Sequence, residues 1–579
     1  MSETAVLSAV APAADSQDWP WLAHYPSYTQ WSQTYRPGLV HELLEQAVAR
    51  YPKHACSYFL GRTMSYAEIG KAVQHAAAGL QKLGVGKGVK VGLFLPNSPT
   101  FIVAYYAVLK AGGTVVNFNP LYSQAELTHQ IRDSGTKLMI TLDLKLLFGK
   151  VEQLLADGVL EQAMVASFSS LLPSIKSVLF RLTRGQEIAN VEGSAQRSKV
   201  VLQKDLMSND GKVTPAVIDP LTDIAVLQYT GGTTGTPKGA MLSHANLTIN
   251  TEQVTHWAGP LADGSEVMMC ILPLSHVFAM TVVMNFGIRK GAQLILVPKF
   301  EINEAVRLMA QVKPTILPGV PTLFNALLNN ANAKKDGLKS LKWCFSGGAS
   351  LPVTVKKGFE AMTGATLIEG YGLSETSPVA TGNPPGGIVK DGSIGLPMPA
   401  TFISVRSVDD SSREMPMGEN GEICIAGPQV MLGYWNNPAE TAESFVHGAG
   451  GRYFRTGDIG HMDAEGFTFI SDRIKEMINS SGFKIYPRRI EEALYQHPAV
   501  EEVAVIGIPD EHKGEAPIAF VKLRDGQSAT AADLLAFLRP RLAKMELPEK
   551  IEFRDRLPKT MIGKLSKKEL KAEYLAGRT

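Results

Sequence analysis

With 579 residues the chain is too long for one ordinary domain, so two or more packed units are expected. Hydrophobic residues make up 45% and charged residues 19%, the balance of a globular protein with a substantial core. The 57 basic and 55 acidic residues leave a formal charge of +2, which argues against a chain held to nucleic acid by bulk charge.

Residues 1 to about 35 carry Ala, Pro and Trp without a steady period and read as an N-terminal arm. Glu3 and the lack of any basic residue ahead of the short apolar stretch do not match a signal peptide. From about residue 40 helix and strand alternate. His41–Arg50 has the apolar spacing of an amphipathic helix, and Val89–Leu95 is a buried strand. Thr100–Lys110 is helical again, Gly113–Asn119 returns to strand, and the rhythm recurs at Lys137–Leu142, Gln293–Pro298 and Thr315–Pro318. Such alternation predicts parallel sheets covered by helices. Residues 160 to 215 break the rhythm and read as a surface excursion. After about 400, short strands such as Glu422–Ala426 and Phe467–Ser471 are set off by Gly and Asp turns. A helix at Arg489–His497, a strand at Val503–Ile508 and a helix at Ala532–Leu542 follow. A boundary is placed near Ser471–Arg473. The fold class expected is α/β: a large N-terminal domain of parallel sheets covered by helices, with a small mobile α+β C-terminal domain.

Cys56, Cys270, Cys344 and Cys424 are scattered in apolar runs without CxxC pairing, which suits buried thiols in a reducing cytosol. No run of 18 apolar residues suggests a transmembrane helix. A cytoplasmic protein is expected, with peripheral contact at the inner face of the membrane compatible with an apolar substrate.

The strongest local signal is Thr230-Gly231-Gly232-Thr233-Thr234-Gly235-Thr236-Pro237-Lys238-Gly239, which follows the strand AVLQY. Glycines let backbone N–H groups approach anionic oxygens without Cβ clashes, while the threonines and Lys238 add donors and positive charge. The spacing is not that of a Walker A loop. A bare surface turn is the plain alternative.

Leu227 to Lys238 resembles the AMP-binding signature of the acyl-adenylate-forming superfamily, which includes acyl-CoA synthetases, luciferases and peptide-synthetase adenylation domains. From about residue 40 to 575 the chain carries that family's later motifs in order. GVPTLFNALLNN (319–330) and GPQVMLGYW (427–435) are similar to segments of bacterial long-chain fatty acyl-CoA synthetases. The resemblance implies an adenylate-forming domain over 36–471 and a C-terminal lid over 472–579. It also implies a two-step ligase reaction: a carboxylate attacks the α-phosphate of ATP with loss of pyrophosphate, and coenzyme A then displaces AMP. Both first-step reactants are anionic, so positive charge and oriented dipoles matter more than a strong base.

By the same resemblance, Thr230, Gly231, Gly232, Thr233, Thr234, Gly235 and Lys238 hold the β and γ phosphates. Within Glu369-Gly370-Tyr371-Gly372-Leu373-Ser374-Glu375-Thr376, Tyr371 stacks on adenine, Ser374 lies near the α-phosphate, and Glu375 ligates Mg2+. A planar ring suits a base, and a hard carboxylate oxygen suits a hard cation. Gly348 in Ser346-Gly347-Gly348-Ala349 lines the adenine and acyl pockets. Asp458 in Tyr453-Phe454-Arg455-Thr456-Gly457-Asp458 accepts from the ribose hydroxyls, with Arg473 as a second ribose contact. In Pro558-Lys559-Thr560-Met561-Ile562-Gly563-Lys564, Lys564 is implied as the catalytic lysine that neutralises charge as the acyl–phosphate bond forms. Asp472 is the implied pivot of the lid, and Gly482 lines the pantetheine tunnel. Arg489 departs from the family pattern, which is acidic there, and opposes the helix dipole.

In Leu272-Pro273-Leu274-Ser275-His276, His276 is similar to the aromatic gate between acyl site and thiol tunnel; a packed core histidine is the alternative. Met280 stands where some long-chain relatives carry a Trp. The apolar neighbourhood favours an alkyl or aryl chain. The preferred partners are a long-chain fatty acid and coenzyme A, with a homodimer left open and no nucleic acid. Medium-chain or aryl acids, an acyl-AMP ligase loading a separate carrier protein, a luciferase-type oxygenase and a non-catalytic nucleotide-binding regulator are the rival readings.

Overall fold

The computed structural model describes residues 19–230, 237–336, 338–448, 451–480, 483–510, 513–560 and 563–576. Two mainly parallel sheets build the large domain. In the eight-stranded one, Lys90–Phe94, Thr114–Phe118, Leu138–Leu142, Gln162–Ala166, Val200–Leu202 and Ile224–Thr230 run parallel, and Lys238–Ser243 returns antiparallel to Ile224–Thr230. In the nine-stranded one, Ala55–Phe59, Val267–Cys270, Gln293–Leu296, Ile316–Gly319, Trp343–Ser346 and Thr366–Gly372 are parallel, with antiparallel strands at both edges.

Helix character follows from apolar spacing. Val40–Arg50 buries Val40, Leu43, Leu44 and Ala47, the i, i+3, i+4, i+7 stripe of a helix that covers a sheet. Pro99–Lys110 is buried on every side, from Phe101 to Leu109, as its unbroken apolar run requires. Fully burying each such large apolar side chain contributes about 1.5–3 kcal/mol. The helix expected over Ala532–Leu542 is Ala531–Leu538 in the structure. It stops early because Pro540 has no N–H with which to continue the ladder.

Residues 160–215 are more than a surface excursion. Gln162–Ala166 and Val200–Leu202 extend the eight-stranded sheet at its edge, and the helix Ser174–Arg184 lies between them in sequence.

A third, antiparallel sheet is built from Phe402–Arg406, Gly421–Ala426, Phe445–Gly448, Gly451–Met462 and Thr468–Arg473. The described part of the N-terminal arm packs on it. Trp21 and Trp31 are buried, the Trp31 ring meets Phe402 edge-on at 4.8 Å, and Trp31 Nε1 donates to Thr401 O at 2.8 Å.

Beyond Arg473 the chain forms a separate α+β unit. Ile478–Ser480, Phe483–Ile485, Val500–Asp510, Gly514–Leu523 and Lys550–Phe553 make its sheet, and Ile490, Leu494, Val505, Val521, Leu534 and Leu538 fill its own core. All four cysteines are buried and free. Among the described residues no helix is long and apolar enough to cross a membrane.

Candidate active site

A cavity of about 890 Å³ opens where the two parallel sheets, the antiparallel sheet and the C-terminal unit meet. Most residues singled out in the sequence line it: Thr230, Lys238, His276, Gly348, Tyr371, Ser374, Glu375, Arg473 and Lys564. Gly231, Gly232, Thr233, Thr234, Gly235 and Gly482 lie outside the described residues. The base of the glycine-rich loop is nonetheless fixed, because Thr230 and Lys238 sit opposite each other in the antiparallel ladder.

Lys238 forms an ion pair with Glu440, and its ammonium stands 5.4 Å from the centre of the Tyr434 ring. Glu375 sits in a single turn, Ser374–Thr376, after the strand Thr366–Gly372. Its Oε1 accepts from the Tyr434 hydroxyl at 2.7 Å. Burial pushes the Glu375 carboxyl above the ordinary range. The strand and its antiparallel neighbour approach so closely at Gly372 that a Cβ there would lie 1.7 Å from Pro378 O.

Asp458 is almost wholly buried behind this wall. One carboxylate oxygen accepts from the Tyr371 hydroxyl at 2.5 Å, and the other from Arg473 Nε at 2.8 Å. Three side chains from three strands are thereby locked in one orientation. Asp458 itself does not line the cavity; Tyr371 and Arg473, which it holds, do.

Lys564 reaches this cavity from the C-terminal unit. Its loop is tied to the large domain by Thr322 Oγ1, which donates to Gly563 O at 2.7 Å. Gly348 adopts φ +84°, and a Cβ there would come within 2.7 Å of Lys564 Cε. Burial first, then the Arg473 guanidinium, pulls the Lys564 ammonium down to about 8, against the opposing pull of Asp458 and Glu476. Burial and Lys564 also hold His276 down at about 3, so its ring is neutral. His276 Nδ1 accepts from Phe278 N at 3.2 Å, which puts the ring proton on Nε2. A neutral donor there cannot act as a base through that nitrogen.

Val254, Trp257, Ala258, Phe278, Val282 and Met398 contribute apolar side chains to the same lining. Apolar lining of this kind suits an alkyl or aryl group.

The model of the AMP-binding enzyme matches residues 44–435, and that of the AMP-binding enzyme C-terminal domain matches residues 489–564. The chain belongs to the AMP-binding enzyme family. It is 42% identical to a long-chain-fatty-acid–CoA ligase of Bacillus subtilis (strain 168), over 96% of this chain and 98% of that one. It is 37% identical to the protein of the same name from Escherichia coli O6:H1, with the same coverage. The ATP-bound crystal structure of MatB from Rhodopseudomonas palustris superposes with a TM-score of 0.79 at 28% identity, over 92% of this chain and 99% of that one.

Within this family frame, three features of the site escaped the sequence. Glu440 lies 202 positions after the lysine it pairs with, so no local motif announces it. Tyr434 falls in the segment GPQVMLGYW, read only as a likeness, yet it orients Glu375. Lys567 sits in a lysine-rich tail and is bound by both Glu476 (2.9 Å) and Glu491 (2.8 Å), beside Asp472. Asp472 itself is buried and accepts from Arg473 N at 2.7 Å and Arg488 N at 3.1 Å. Arg489 pairs with Glu546 at 2.9 Å, which offsets its unfavourable place at a helix start.

Proposed function

We propose that this chain is an ATP-dependent long-chain fatty acyl-CoA ligase that works through an acyl-AMP intermediate. The observation that carries the reading is the convergence of Lys238, Glu375, Arg473 and Lys564 on one cavity that apolar side chains also line. The names and coverage of the relatives support the same chemistry.

In the first step a carboxylate oxygen bonds to the α-phosphorus of ATP and the bond to pyrophosphate breaks. Lys238 and the glycine-rich loop after Thr230 would hold the departing phosphates. Lys564 would sit against the carboxylate and the bridging oxygen, where its charge offsets repulsion between two anions. Asp458 and Arg473 would fix the ribose, and Tyr371 the base. The carboxylate of Glu375 fits Mg2+, which takes one or two carboxylates and completes its shell with phosphate and water oxygens. When bound there the cation would neutralise phosphate charge.

In the second step the coenzyme A thiol adds to the acyl carbonyl and AMP leaves with the bonding pair. The groups that neutralise phosphate would obstruct that thiol. We therefore take 472–579 to be a lid that turns at Asp472 between the steps, withdrawing Lys564. The test is pyrophosphate release with ATP, Mg2+ and a panel of straight-chain and aryl acids, with thioester read separately. Preference for long straight chains with thioester product is expected. Turnover of aryl acids alone would refute the substrate class, and release that stalls at acyl-AMP with coenzyme A present would refute the acceptor.

A further inference from the structure

Residues Ile175, Val178, Leu179 and Leu182 recur at the i, i+3, i+4, i+7 spacing that normally faces a core. In the helix Ser174–Arg184 they face outward instead, 85%, 60%, 56% and 79% exposed. The helix is anchored by its other side. The Phe180 ring lies 5.1 Å from that of Phe168, Arg181 donates to Ser169 Oγ at 2.8 Å, and Lys176 Nζ donates to Leu60 O at 3.0 Å. The apolar stripe is therefore held outward by a helix fixed in place. None of its residues lines the active cavity.

The surroundings of the stripe are basic. Lys176 and Arg181 flank it, Arg184 ends the helix, and the helix holds no acidic residue. Among the described residues, Asp143 acts on Arg181 and Glu187 on Arg184. Asp143 is turned toward Phe168 N, and Glu187 stands 3.7 Å from Arg184. The bridge between Leu144 and Ile188 brings the start of the helix Lys145–Ala156, with its exposed Lys145 and Leu146, next to the segment that follows Arg184.

We propose that this face docks the protein on an anionic lipid bilayer. An apolar stripe between basic side chains matches the interfacial geometry, in which apolar groups enter the acyl boundary and cations meet phosphate headgroups. A second copy of the chain fits less well. Eleven residues rise about 16 Å, and a strip about 10 Å wide offers about 160 Å², far below the ~800 Å² per partner of a stable dimer. If the ligase reading holds, the surface also has a use, because long-chain acids partition into bilayers.

The test is sedimentation of the full-length protein with phosphatidylglycerol or phosphatidylcholine vesicles, without substrate. That readout stands whether or not the ligase reading does. Wild type should partition preferentially onto phosphatidylglycerol. Val178→Glu with Leu182→Glu should lower that partition at least tenfold, and Lys145→Gln with Arg184→Gln should remove the preference for the anionic lipid. Both variants should retain the wild-type circular dichroism spectrum and thermal midpoint. Wild type that stays in the supernatant, or variants that bind as well as wild type, would overturn the proposal. So would a wild-type dimer in light scattering that Val178→Glu with Leu182→Glu makes monomeric.

Discussion

Raising the pH through 8 should switch off adenylation while leaving the thiol step running. Lys564 is the group responsible, since burial and Arg473 bring its ammonium down to about 8. On that value about nine-tenths of the enzyme carries the charge at pH 7 and about one-tenth at pH 9, so kcat/KM for pyrophosphate release should fall about tenfold per pH unit above 8. The kcat profile reports the bound complex, where ATP and the carboxylate add negative charge beside the ammonium and favour its protonated form. Its alkaline limb should therefore lie at higher pH than that of kcat/KM. Lys564→Arg supplies the decisive comparison. A guanidinium keeps its proton throughout, so the limb should vanish even if the plateau rate drops. The assay is pyrophosphate release without coenzyme A from pH 6 to 10, beside thioester formation from supplied acyl-AMP. A wild-type kcat/KM that stays flat to pH 10, or a limb unchanged in Lys564→Arg, would refute the reasoning.

Gly348→Ala would force Cβ to within 2.7 Å of Lys564 Cε at a left-handed φ. It should slow adenylation at least tenfold and the thiol step less, with no further loss of adenylation when added to Lys564→Ala, as double-mutant kinetics can check. Asp458→Asn weakens the hold on Tyr371 and half-exposed Arg473. A stability loss of about 2 kcal/mol in urea unfolding and an ATP KM raised at least tenfold are expected; an unchanged KM would remove Asp458 from the ribose site. Glu440→Gln breaks a pair whose side chains are each about one-third exposed. Stability should hardly change, about 0.5 kcal/mol, while ATP KM falls about twofold as Lys238 is freed for phosphate. A rise in KM would mean that Glu440 serves ATP binding directly.

Where chemistry sits on turns between strands, the sequence is explicit. The Thr230–Gly239 loop, the Thr366–Gly372 strand with its following turn, and the segment through Asp458 each place special residue types at an abrupt change of pattern. The alternation from residue 40 marks the elements within a residue or two, as at Pro99–Lys110 and Leu138–Leu142. Contacts between distant segments are silent in the sequence. Neither Lys238 with Glu440 nor Glu375 with Tyr434 has a local signature, because each pair is made by tertiary packing. The helix Ser174–Arg184 shows a different limit. Its apolar period is that of a core helix, and periodicity does not say which way the stripe faces. Trp21 and Trp31 lie in a segment without a steady period, yet both rings are buried on the antiparallel sheet.

The central claim is tested most directly by pyrophosphate release with ATP, Mg2+ and a long-chain acid, followed by addition of coenzyme A. Acid-dependent release, with acyl-AMP accumulating first and acyl-CoA plus AMP appearing once the thiol is added, is the predicted result. Stoichiometric nucleotide binding with no acid-dependent pyrophosphate across the whole panel would contradict it.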